Sequence, residues 1–120
     1  MRYMLLIYER ESSFETMPPE EQGKVFGEYM AFTDDIRRTG QYVAGAPLQA
    51  TPTATTVRVT NGKTITTDGP FAETREQLGG YYLIEAKNLD EAIALASRIP
   101  AARTGSIEIR PIAEIAMPQG

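Results

Sequence analysis

Cysteine, histidine and tryptophan are all missing from this chain of 120 residues. Without cysteine there is no disulfide, no thiolate zinc site and no sulfur nucleophile. Without histidine there is no Ser-His-Asp or Cys-His arrangement, no imidazole metal ligand and no side chain whose ordinary titration lies near neutral pH. Any catalysis would fall to carboxylates, Tyr, Lys, Arg, backbone groups or a borrowed cofactor. No cofactor motif is present: Gly79-Gly80 precedes an expected strand, not a helix N-terminus, so it is no phosphate loop. An oxygen-only Mg²⁺ or Ca²⁺ site would need a spacing such as the EF-hand loop, which is absent, and no metal is expected.

Positive charge is scarce as well. Lys and Arg total 12 against 16 Asp and Glu, a net charge of −4, so nothing draws the chain to a phosphate backbone and no nucleic-acid partner is expected. Long apolar runs are missing too. The run from Met4 to Tyr8 is stopped by Glu9-Arg10-Glu11, too early for a signal-peptide core or a membrane span, so a cytoplasmic protein off the membrane is expected. The length suits one domain over 1–120, and 42% hydrophobic with 23% charged residues is ordinary globular composition.

What is there reads as alternating strands and helices. Arg2 to Tyr8 is apolar on both alternating faces, as in a central strand. After a polar link, Pro18-Pro19-Glu20-Glu21 starts a helix that runs to about Thr39, where Gly40 stops it. Val25, Tyr29, Phe32 and Ile36 form its apolar stripe, with Phe26 and Met30 widening it. Gln41 to Ala46 reads as a strand, and a Pro- and Thr-rich connection covers Pro47 to Thr55. Thr56–Thr60 and Lys63–Thr67 flank Asn61-Gly62, the strongest short hairpin signal, which sets Arg58 opposite Ile65 and Val59 opposite Thr64. Tyr81 to Ala86 is another strand. Asn88 caps a helix, with Glu91 as its capping-box partner, the stripe Leu89, Ala92, Ile93, Ala96, Ile99, and Pro100 as its stop. Ser106 to Ile112 alternates as a last strand.

This order suits an α+β fold: a ferredoxin-like antiparallel sheet with two helices on one face. The other face would then expose Met4, Leu6, Tyr8 and one of Tyr81 or Tyr82. A second sheet from an identical chain is expected to cover it, giving a homodimer. Between hairpin and fifth strand lies the densest stretch, Thr67 to Gly80, reading T-D-G-P-F-A-E-T-R-E-Q-L-G-G. It carries Asp68, Glu73 and Glu76 among residues that break regular backbone.

Asp68-Gly69-Pro70-Phe71-Ala72-Glu73-Thr74-Arg75-Glu76, with Leu89-Asp90-Glu91-Ala92, Ile99-Pro100-Ala101-Ala102 and Gly105-Ser106-Ile107-Glu108-Ile109-Arg110-Pro111, resembles the DGPF-type, YCII-related proteins almost end to end. The resemblance implies a dimeric α+β barrel. It implies no fixed reaction, since the family is largely of unknown function and the fold serves many chemistries. Relatives are often encoded beside extracytoplasmic-function sigma factors, which implies a regulatory or interaction module linked to such a factor as the alternative to small-molecule binding. One branch carries a His-Asp pair proposed as catalytic, and a chain without histidine cannot carry that pair.

The candidate ligand-binding residues are Asp68, Phe71, Arg58, Arg110, Tyr8, Tyr82, Glu73 and Glu76, around a cleft between sheet and acidic loop. If Glu73 to Gln77 makes a helical turn, Glu73 and Glu76 share a side and can join Asp68. Against this, Asp68 can simply close the Asp-Gly-Pro turn, and the glutamates can be solvated or paired with Arg75. Arg58 and Arg110 can hold an anionic ligand between sheets, or Arg110 can pair with Glu108 or Asp68. Tyr8, Tyr81 and Tyr82 can supply an apolar wall with a phenolic hydrogen bond.

Overall fold

Strand β1 (Arg2–Glu9) sits at the centre because both of its faces are apolar. It pairs antiparallel with β5 (Gln77–Glu85) on one side and β6 (Ser106–Pro111) on the other, while β2 (Tyr42–Pro47) closes the far edge of β5, giving the order β2-β5-β1-β6. These strands belong to a computed structural model that describes residues 1–116; the last four positions of the expected 1–120 domain lie outside the described residues. The fold is α+β, with an antiparallel sheet and helices on one face. Helix α2 (Pro19–Arg38) and helix α3 (Leu89–Ala96) both contribute to one apolar cluster: Phe32 and Ile36 from the first, Ala92, Leu95 and Ala96 from the second, against Tyr3, Leu5, Ile7, Tyr82 and Ile84 of the sheet. Leu5, Ile36, Ile84 and Ile99 are fully buried there.

The helix ends follow their sequence signals. At the C-terminus of α2, Gly40 takes φ +76°, its N–H reaches Arg37 O at 3.1 Å and that of Gln41 reaches Ile36 O at 2.9 Å, the paired bonds of a Schellman cap. At α3, the Asn88 side chain accepts from Glu91 N at 3.0 Å. Gly105 permits the entry to β6, because a Cβ there would lie 2.1 Å from Tyr8 O.

Several expectations are corrected. The polar link after β1 contains a short helix, α1 (Glu11–Glu15), pinned where Glu11 N donates to Gln77 Oε1 at 3.1 Å and the Glu11 carboxylate accepts from Thr51 N at 2.8 Å. Strand β5 begins at Gln77, not Tyr81, because Gly79 forms a bulge: Ile7 faces Gly80 while Tyr8 faces Leu78. Hence Glu73 to Gln77 makes no helical turn. Helix α3 ends at Ala96, and its buried side holds Leu95 in place of Leu89 and Ile93, which stay about half exposed. The same holds for Phe26 and Met30 of α2, which lie outside the core.

The Asn-Gly hairpin forms as read: β3 (Thr55–Thr60) and β4 (Lys63–Asp68) pair with Arg58 opposite Ile65 and Val59 opposite Thr64, and Asn61 and Gly62 both take positive φ. It shares no ladder with the main sheet. It projects as an arm, with Val57 and Val59 well exposed. The Cα radius of gyration is therefore 16.9 Å, against about 14 Å for a compact chain of this length.

Candidate functional site

Helix α2 carries more apolar surface than the core takes up. Phe32 and Ile36 enter the core, while Val25, Tyr29, Thr33 and Arg37, four residues apart, fall on a neighbouring stripe with Phe26 and Met30 beside it. That second stripe forms one wall of a cleft of about 580 Å³. The start of β5 with the β2 edge, from Tyr42 to Ala50, forms another wall, and α1 with its Phe14 closes one end. Phe26 is 66% exposed, Met30 51%, Leu48 47% and Phe14 45%. So much large apolar surface open to water in a single concavity is what a ligand site presents.

Polar groups enter the cleft at few points. Thr33 Oγ1 donates its one proton to Tyr29 O at 2.8 Å and lies 2.8 Å from Tyr82 Oη, which makes Tyr82 the donor of that second bond. The Tyr82 ring is fixed by edge-on contacts with Phe32 and Tyr42, at centroid distances of 5.3 and 6.4 Å. Gly45 leaves room for it, since a Cβ there would stand 3.0 Å from Cδ1 of the ring. Burial, above all, raises the Tyr82 phenol above its ordinary value; burial and then the nearby Glu9 push Tyr29 up to about 12. Burial thus favours the protonated, hydrogen-bonding phenol at both positions.

Charge is divided along the cleft. At the end of α2, the Arg37 guanidinium lies 4.8 Å from the Tyr42 ring centroid and has no ion-pair partner among the described residues, whereas Arg38 pairs with Asp35, which also takes Arg98 at 2.6 Å. At the other end Glu9, Arg10, Glu11 and Glu15 line the cleft.

Of the sequence-derived candidates, Tyr82 and its chain neighbour Tyr81 line this cleft. Tyr8 lies on the sheet face without helices. Arg110 is on the same face, paired with Glu108 along β6. Arg58 projects from the arm, and Asp68 ends β4 opposite Thr55. Phe71 is 80% exposed. Glu73 is exposed, and Glu76 is half-buried and accepts from Ser106 Oγ at 2.8 Å, with no bond to Arg75. The stretch from Thr67 to Gly80 thus meets the cleft at its C-terminal end, where Gln77, Leu78, Gly79 and Gly80 line it, while Asp68, Phe71 and Glu73 do not. Sequence reasoning missed Thr33, Arg37 and Tyr42. The signal available for them was the unusual width of the α2 stripe, which a single core contact does not need.

The YCII-related domain model matches residues 1–116. An uncharacterised protein of Rhizobium meliloti (strain 1021) is 41% identical over 115 residues, covering 94% of this chain and 93% of its own. Among solved structures, 5-chloro-2-hydroxyhydroquinone dehydrochlorinase of Burkholderia phenoliruptrix AC1100, in complex with 2,5-dihydroxybenzoquinone, aligns with a TM-score of 0.55 at 12% identity over 94% of each chain. At that identity the likeness shows the fold.

Proposed function

The chain belongs to the YCII-related domain family, and from that premise we propose that it is a small-molecule binding protein, working as a homodimer, whose ligand occupies the cleft between α2 and the β2–β5 edge. One observation carries this reading: an open concavity of about 580 Å³ lies within the size range of ligand pockets, with apolar walls and a few oriented polar groups. A protein of the same fold is solved in complex with 2,5-dihydroxybenzoquinone, which supports small-molecule binding as a use of this fold. The reading is of binding, because the chain has no histidine to move a proton near neutral pH.

The bare face of the sheet supports the dimer. Met4, Leu6, Tyr8, Tyr81 and Leu83 are half-buried on the face that no helix covers, and the exposed arm lacks any third layer. A two-stranded hairpin alone is marginal in water. A second copy covers both, with Asp68, Phe71, Arg58, Arg110, Glu73 and Glu76 on the surfaces that approach it.

The test is NMR shift mapping with 2,5-dihydroxybenzoquinone and decanoate as probes, on the chain and on Met30→Trp, which fills the cleft from an exposed position. Shifts at Phe26, Gly45 and Tyr82, lost in the variant, are expected. Shifts confined to the bare sheet face and the loop would move the site there.

A further inference from the structure

We infer that the cleft selects an elongated apolar molecule bearing a single negative charge, its carboxylate held by Arg37. This rests on the cleft being a binding site, and adds the ligand's class and orientation. The arginines at the end of α2 are not equivalent. A cation there answers the helix dipole, and Arg38 meets that need with Asp35 as its counter-ion. Arg37 lines the cleft, rests against the face of Tyr42 at 4.8 Å and has no carboxylate partner among the described residues. A guanidinium fixed by an aromatic face, with its donors free beside an apolar channel, suits a carboxylate bound through paired N–H bonds.

The channel sets the rest of the molecule. From Val25 to Arg37 the lining stripe spans roughly 18 Å of helix, and between its ends the wall is Phe26, Tyr29, Met30 and Thr33. The Thr33 hydroxyl is spent on Tyr29 O and receives Tyr82, so the middle offers no free hydroxyl proton from these groups. At the far end stand the carboxylates of Glu9, Glu11 and Glu15 with one cation, Arg10. The Glu11 carboxylate is occupied by Thr51, and neither Glu9 nor Glu15 has an ion-pair partner among the described residues. A second negative charge would meet like charge there. The cleft therefore accepts a monoanion and rejects a dianion of the same length.

Titration calorimetry with decanoate, decanamide and decanedioate tests this. Decanoate is expected to bind about 10-fold or more tighter than its neutral amide, as a charge-assisted contact would give, and tighter than decanedioate. Arg37→Gln should bring decanoate to the level of decanamide, Arg38→Gln should leave it unchanged, and added salt should weaken decanoate alone. Equal binding of decanoate and decanamide would leave the cleft a site but remove the anionic class. An unaltered preference in Arg37→Gln would remove Arg37 as the anchor, and no binding by any probe would sink both readings.

Discussion

Leu5 and Leu6 are the same residue on the same strand, one position apart, and the fold treats them as opposites. Leu5 faces the helices and has no exposed surface; Leu6 faces away, beside Tyr81 and Glu108, and stays half-buried. Because side chains alternate along a strand, one segment carries the finished core of this molecule and its unfinished surface at once. The difference teaches where folding ends and where the proposed association would begin. The helix-covered side satisfies itself within one chain, and the bare side with its arm does not.

Truncation should split the pair. Leu5→Ala is expected to cost about 2–5 kcal/mol, lost transfer energy plus a cavity, read as a denaturant midpoint lowered at every protein concentration, with association in sedimentation unchanged. Leu6→Ala should cost about 1 kcal/mol in the folded chain and weaken the association, so that dilution dissociates it at higher concentration than the parent, whose midpoint falls on dilution. A parent midpoint independent of concentration, alongside sedimentation of the parent chain as a monomer at micromolar concentration, would break the comparison.

An intermediate effect sharpens it from the covered side. Asn88→Ala removes the cap of α3, whose buried residues close the core, and should cost about 1 kcal/mol by chemical denaturation. An equivalent change on the arm, Val59→Ala at 69% exposure, should stay within about 0.5 kcal/mol in the isolated chain.

The covered side was the legible side. Period-two and helical patterns, the Asn88–Glu91 box, Gly40 and Asn61-Gly62 are local signals, and local backbone chemistry placed those elements near their observed ends. Three things were less legible. The helix α1 is held by long-range bonds from Glu11 to Gln77 and Thr51, which no window of sequence contains. The bulge at Gly79 moves the start of β5 four residues early, and only pairing with β1 reveals it. The cleft arises because Phe26 and Met30 continue an apolar stripe past the edge of the sheet they were expected to cover. Periodicity identifies a stripe, but not where its partner layer stops. The acidic stretch stands out by composition, yet the part of it that lines the cleft is its non-acidic end, Gln77 to Gly80.

Tyr29, at the seam between core and cleft, has an effect that is small at neutral pH and shows itself above it. Its phenol is pushed up to about 12, chiefly by burial and next by Glu9. The sign follows from which state keeps the proton. Below pH 10 folded and unfolded chains are both protonated, so the phenol's contribution is fully present; between 10 and about 12 the unfolded chain ionises while the folded one does not, and stability falls as pH rises through that window. Tyr29→Phe should cost about 1 kcal/mol or less at pH 7, and should flatten the decline above pH 10. Thermal melts at pH 8, 10 and 11.5 would read this. If parent and variant lost stability in parallel across those points, Tyr29 would be solvated in solution, and the cleft wall it forms would be looser than the structure describes.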